Sequence, residues 1–155
     1  MTESVWDYPR PPRVEQTSSH VRVVHDGVVV AGSTRSLRVL ETSHPPGYYI
    51  PREDVVAVRF EPSAARATIC EWKGAATYLD VVTPGGRVER AAWTYTEPKA
   101  GFEEIRDAVA FYAQAVDECC VDEERVNPQD GSFYGGWITS DVVGPFKGAP
   151  RTTGW

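Results

Sequence analysis

Along most of the chain, apolar and polar residues alternate with a period of two, the spacing of a strand that buries one face. Residues 21–31 carry the pattern twice, VRVV and VVVA, on either side of His25-Asp26-Gly27. Asp-Gly accepts the positive φ that a tight hairpin turn demands, so this stretch predicts a β-hairpin. Further strands are expected over residues 36–41, 48–50, 55–60, 68–72, 77–82, 87–95, 110–113 and 116–121. His44-Pro45-Pro46-Gly47, Pro84-Gly85-Gly86 and Asp122-Glu123-Glu124 separate them as turns. Pro51 opens one helical turn over 51–54, where its fixed φ and missing N–H do no harm. Within 87–95, Ala91, Trp93 and Tyr95 are expected on one face. Residues 101–109 break the period: Phe102, Ile105 and Val109 fall on one helical stripe, with Glu103, Arg106 and Asp107 outside it. They predict the only short α-helix of a mostly β, antiparallel, single domain spanning 1–155.

The two ends differ from this body. Residues 1–16 are Pro-rich and predict an extended arm, tied down by Trp6 and Tyr8. Residues 127–155 are rich in Gly and aromatics and predict a tail packed on the body, mostly as loop. The 155 residues suit one domain. A formal net charge of -6 argues against a nucleic-acid backbone or an anionic membrane as partner. The basic pairs Arg10 with Arg13, Arg35 with Arg38 and Lys147 with Arg151 form no run and are expected at the surface. The three cysteines, Cys70 and the adjacent Cys119 and Cys120, make neither a disulfide framework nor a C-x-x-C pair. The first residues lack the apolar core of a signal peptide, and no apolar run reaches the length of a membrane span. A cytoplasmic protein without metal or cofactor, monomeric or a small homo-oligomer, is the expectation.

Chemistry concentrates in residues 41–54, ETSHPPGYYIPRED, which pack an acid, hydroxyls, an imidazole, two tyrosines and prolines into one stretch. Ser43 beside His44 does not make a nucleophile and base if the chain is extended there, because neighbours on a strand face opposite ways. His44 is then left to act on the side of Thr42, or simply to cap the Pro-Pro turn. Glu71 and Lys73 form either a surface ion pair or the frame of a polar ligand. Trp93 and Tyr95, two apart, serve equally as core or as two walls of an aromatic slot. His20 and His25 are expected at the surface, and Gly135-Gly136 as a plain turn.

The segments ETSHPPGYYIPRED, CEWKGAATYLDV, AAWTYTEPKAGFEEIRDAVAFY and GSFYGGWITSDVVGPFKG occur in this order, and through them the chain resembles the domain-of-unknown-function 427 family from Val5 to Trp155. The resemblance implies a β-tent of two antiparallel sheets meeting at an angle, related to Mss4-like proteins, to the methionine-sulfoxide reductase B fold and to the ligand-binding domain of cereblon. The zinc-binding C-x-x-C pairs of those relatives have no counterpart here, nor has their catalytic cysteine. The family is also catalogued as a nucleotidyltransferase. Gly32-Ser33 is followed by no Asp-x-Asp, and Asp80 stands alone on its strand, so the carboxylate pair that would hold a magnesium–triphosphate is missing.

The expected function is binding of a small polar or aromatic molecule in a pocket between sheets. Glu41, His44, Tyr48 and Tyr49 would form one wall, and Lys73, Trp93 and Tyr95 the other. The alternatives are an enzyme on the same pocket, with Glu41 or His44 as general base and Lys73 as electrostatic stabiliser, and an interaction protein that uses its aromatic tail. Lacking thiolate pairs, the chain should fold without metal: chelator treatment should leave its melting temperature unchanged. Stoichiometric zinc whose removal unfolds the protein would contradict this.

Overall fold

The computed structural model describes residues 2–56, 58–131, 133–148, 152 and 155. Ala57 in the expected 55–60 strand, Arg151 of the basic pairs and parts of the 127–155 tail therefore lie outside the described residues. The strands are β1 Glu3–Ser4, β2 Arg13–Gln16, β3 Val21–His25, β4 Val28–Ser33, β5 Leu37–Leu40, β6 Gly47–Tyr49, β7 Arg59–Pro62 and β8 Thr68–Cys70, followed by β9 Gly74–Thr83, β10 Gly86–Thr94, β11 Val109–Phe111, β12 Glu118–Val121, β13 Glu124–Arg125, β14 Asn127–Pro128, β15 Trp137–Ile138 and β16 Val142–Val143. Short 3₁₀ turns stand at Val5–Asp7, Arg52–Asp54 and Glu103–Ile105. Among the described residues no helix is long and apolar enough to cross a membrane.

The largest sheet runs β11-β10-β9-β7, with β8 also paired to β9, and the next runs β13-β12-β3-β4. A three-stranded sheet, β2-β5-β6, meets the first at a corner. There Ile50 and Val109 exchange both backbone hydrogen bonds at 2.8 Å, which brings the end of β6 against β11. These three sheets are antiparallel throughout. The β3–β4 hairpin turns on Asp26 (φ 53) and Gly27 (φ 73), the left-handed pair that makes Asp-Gly a turn dipeptide.

The main core lies between the five-stranded and four-stranded sheets. Val21, Val23, Val30 and Cys119 meet Val81, Ala92 and Phe111 there, and Trp137 from β15 joins them. The strands β6, β9, β10 and β11 are buried on both faces. Their other side carries Tyr49, Tyr78, Trp93, Ala110 and Tyr112 in a second, aromatic cluster. A bulge sorts β10 between these two cores. Its pairing with β9 shifts between Val88 and Ala92, and Arg90 takes a φ of 51°. Asp80, buried on β9, accepts from the Arg90 backbone N–H at 2.8 Å and from Arg87 Nε at 2.8 Å, which holds the extra residue in place. As a result Ala91 packs in the main core and does not share the face of Trp93 and Tyr95.

The expected α-helix over 101–109 is instead one 3₁₀ turn, Glu103–Ile105. Gly101 (φ 93) precedes it and Asp107 (φ 61) follows it, and neither conformation continues a helix. The Asp107 N–H goes to Tyr95 O at 3.0 Å, so sheet pairing takes over where the next helical turn would begin. Phe102, Ile105 and Ala108 still bury against the aromatic cluster.

The N-terminal arm is only partly extended. Parallel pairing of β1 with β16 and the 3₁₀ turn Val5–Asp7 precede β2. Val5 is fully buried with Tyr8, Leu40 and Val142. Trp6 remains 43% exposed and donates from Nε1 to Pro145 O at 2.8 Å. Val5→Ala should cost about 2 kcal/mol through lost burial and an unfilled gap, a fall of about 4–8 °C in Tm for a chain of this size. Trp6→Ala should cost less. An unchanged melting curve for Val5→Ala would reduce the arm to a loose tail.

Candidate functional site

A cavity of about 380 Å³ opens on the aromatic face of the five-stranded sheet, at its corner with the three-stranded sheet. Its floor comes from strands: Tyr49 on β6, Ala76 and Tyr78 on β9, Trp93 on β10 and Tyr95 just beyond. Loops supply the rim: Arg10 from the arm, Glu41 and His44 from the turn after β5, residues 68–73, Phe133 and Tyr134, and Trp155. Glu41, His44, Tyr49, Lys73, Trp93 and Tyr95, nominated from the sequence, all line it. Tyr48 does not. One residue from Tyr49 on the same strand, it points to the opposite face and stacks on Trp137 at 5.1 Å in the main core. Burial there raises the pKa of its phenol against the pull of Arg38.

Tyr49 ties the floor together. Its hydroxyl accepts from Trp93 Nε1 at 3.1 Å, and its ring lies 6.2 Å from that of Tyr95. Having accepted from the indole N–H, the hydroxyl still has its own O–H to donate. The rings pack edge to face, Tyr49 to Trp93 at 6.1 Å, and Trp93 lies 4.5 Å from Tyr112. Trp93 and Tyr95 are thus both core and wall: each is buried, and each faces the cavity.

Lys73 sits in the bend before β9, where Lys99 N–H donates to its carbonyl at 2.9 Å. Gly74 follows at φ 111, against the backbone of Glu97 and Lys99. The expected ion pair with Glu71 does not form: Glu71 is exposed, and Lys73 Nζ lies 5.7 Å above the Tyr95 ring. Burial pulls the pKa of this ammonium down, but Tyr49, Cys70 and Glu41 outweigh it, and the net direction is upward. Lys73 is therefore charged at neutral pH. Tyr95 moves far upward, first through burial and then through Tyr49, Cys70 and Tyr78, so its phenol stays neutral.

The Glu41–His44 turn is not the extended chain that the sequence implied. Ser43 has φ 68°, and its N–H reaches back to Val5 O at 3.1 Å. His44 Nδ1 lies 2.9 Å from Thr42 O and 3.5 Å from Ser43 Oγ. The carbonyl can only accept, so Nδ1 carries the proton and donates, and Nε2 is left as the lone-pair nitrogen. Ser43 itself is buried and does not line the cavity. Burial is the leading cause of a lowered His44 pKa; Glu41 and the Thr42 carbonyl push it back up, while Arg10 and Lys73 add to the fall. The ring meets Tyr134 edge-on at 4.9 Å.

Several lining residues escaped the sequence reading. Arg10 pairs with Glu41 at 3.3 Å across a long gap in sequence, and nothing local announces it. Tyr78 could have been found, because it is the cross-strand partner of Trp93. Tyr112 and Tyr134 belong to the same wall system. Gly135 explains their closeness: at φ 74°, a Cβ there would stand 2.6 Å from Trp93 and 2.9 Å from Tyr112. This glycine seats the Phe133–Tyr134 loop on the aromatic floor, so it is more than a plain turn. Away from the cavity, His25 is buried and not at the surface. Its Nδ1 has no hydrogen-bond partner, and the nearest carboxylate, Asp117, is 3.6 Å away.

The lowered pKa of His44 has a definite sign. The unfolded chain takes up the proton first, so the stability tied to a neutral His44 is complete above pH 6.5 and declines as pH falls below it. The His44 ring should titrate below 6.5 by NMR, and Glu41→Gln should move it lower still. A midpoint at or above 6.5 would mean that Glu41 outweighs burial.

No curated protein matches this sequence. The profile of one family, described as Domain of unknown function (DUF427), matches residues 13–122, a span that holds the strands of the cavity floor and the Glu41–His44 turn. The chain belongs to the DUF427 family.

Proposed function

We propose that this protein binds a small planar molecule with polar substituents in the aromatic cavity. The supporting observation is convergence: Tyr49, Lys73, Trp93, Tyr95, Glu41 and His44 come from separate segments and line one concavity of about 380 Å³. That volume lies within the usual range for small-molecule sites, and aromatic walls with convergent polar groups suit them. Aromatic side chains that served only to fill a core would close on one another. Here they surround a space.

A second reading, catalysis, rests on His44. A neutral imidazole with Nδ1 committed to Thr42 O presents Nε2 as a base, and Lys73 supplies a nearby positive charge. Nucleotidyl transfer has less support. The side-chain carboxylates of the described lining are Glu41 and Glu71, the first paired with Arg10 and the second exposed, and they form no cradle for a magnesium–triphosphate.

Aromatic fragments should stabilise the fold. At about 100 times Kd the gain is about 2.7 kcal/mol, or roughly 5–10 °C in Tm. Tyr134→Ala, on the exposed rim, should leave the Tm of the free protein nearly unchanged and weaken the same fragments by about tenfold, as loss of an aromatic contact does. Mass spectrometry of molecules released from the purified protein would identify the natural occupant. If nothing is released and no fragment shifts Tm, the binding reading fails. Turnover of a bound compound that is lost in His44→Gln would favour the catalytic one.

A further inference from the structure

An aromatic cage ordinarily takes a cation, because ring faces are electron-rich. The charges around this one point the other way. The faces are already engaged by the protein's own cations: Lys73 Nζ is 5.7 Å from the Tyr95 ring centre, Arg90 is 4.3 Å from that of Tyr78 and 5.3 Å from that of Tyr112, and Lys147 is 5.9 Å from that of Tyr134. Against them the lining offers two side-chain carboxylates. Glu41 forms an ion pair with Arg10 at 3.3 Å, and Glu71 is exposed on the rim. Among the described residues no carboxylate forms an ion pair with Lys73, whose Nζ stands over the Tyr95 ring. A partly buried ammonium with no ion-pair partner is open to an acid group from a ligand. The chain as a whole has a net charge of -6, so an ammonium without an ion-pair partner here runs against the molecule's general field.

We propose, on the basis of the binding reading above, that the cavity is built for an aromatic anion, a planar ring bearing a carboxylate or comparable acid group, with Lys73 as its counter-charge. The ring stacks within the Tyr49, Trp93, Tyr95 and Tyr112 walls, and the acid group completes the coordination of the Lys73 ammonium. His44 adds a second requirement. With Nδ1 donating to Thr42 O, the ring offers Nε2 as an acceptor, so a hydroxyl or N–H elsewhere on the ligand finds a partner. A cationic ligand would meet the Lys73 ammonium head-on.

Three probes of nearly equal shape separate the possibilities: 2-naphthoate (anion), 2-naphthamide (neutral) and 2-naphthamidine (cation), each titrated by tryptophan fluorescence and checked by thermal shift. The naphthoate should bind at least about tenfold more tightly than the amide, the worth of one charge-assisted contact, and the amidine most weakly. Lys73→Met should erase the preference for naphthoate over naphthamide, while Lys73→Arg should keep it. If Lys73→Met does not fold, the wild type still decides: naphthoate affinity should fall with added salt, and naphthamide affinity should not. An amidine that binds as well as the naphthoate, or a preference that survives Lys73→Met, would overturn the assignment and leave the pocket a general aromatic site. Failure of all three probes to bind would remove the small-molecule reading itself.

Discussion

The strands β6, β9, β10 and β11 must bury side chains on both faces, and the rest of the molecule answers that demand. On one face the four-stranded sheet supplies a matching apolar layer, and the main core closes. On the other face the three-stranded sheet covers only part, through Val14, Leu37 and Val39. Tyr49, Tyr78, Trp93, Tyr95 and Tyr112 are covered otherwise by the arm, the Glu41–His44 turn, the bend through Lys73 and the Phe133–Tyr134 loop. Loops do not interdigitate with a pleated surface as a sheet does, and they bring backbone and charge with them. The residual space is the cavity. Its polar groups sit where they do because they entered with the covering loops.

Much of the strand framework was legible in the sequence. The Asp26-Gly27 hairpin needed only turn chemistry, and β9 and β10 needed only alternation. The errors follow from rules that alternation alone does not carry. The bulge at Arg90 moves Ala91 into the main core, and it depends on Asp80, a residue that looked isolated from its own strand. The stripe of Phe102 and Ile105 is real burial, but Gly101 and Asp107 cut the helix to one turn. For Tyr48 and Tyr49 the rule was available: strand neighbours face opposite ways, and Tyr48 had to leave the site if Tyr49 stayed. Arg10 and Tyr134 could not be read, because an ion pair and a ring contact between distant segments have no local signature.

Electrostatically, the site separates its groups by environment. Burial lowers His44 toward the neutral imidazole, while Tyr49, Cys70 and Glu41 keep Lys73 an ammonium against that same burial. One neutral acceptor and one fixed positive charge thus stand on a single aromatic cavity. The Tyr95 phenol is held in its neutral form and can still donate a hydrogen bond. Groups whose protonation is driven apart in this way mark functional sites more often than structural ones. Asp80 supplies the contrast. It is buried too, but its carboxylate is satisfied by Arg87 and by the Arg90 N–H, and its whole effect is on the path of the chain.

The arm links the stability of the fold to the geometry of the site. Val5 fills the third apolar cluster, and the backbone beside it does a second job: Val5 O receives the Ser43 N–H at 3.1 Å, and Pro9 O receives that of Thr42 at 3.2 Å. Ser43 holds a left-handed φ of 68°, unfavourable for a residue with a side chain, and those bonds help to maintain it. Lys147 N–H closes the turn from the other side, onto Ser43 O at 2.7 Å. His44 can reach Thr42 O with Nδ1 only while that turn persists. The arm then delivers Arg10 to Glu41, an ion pair at the rim of the cavity. A segment that resembles a Pro-rich tail in sequence therefore helps to set the tautomer of the site's imidazole.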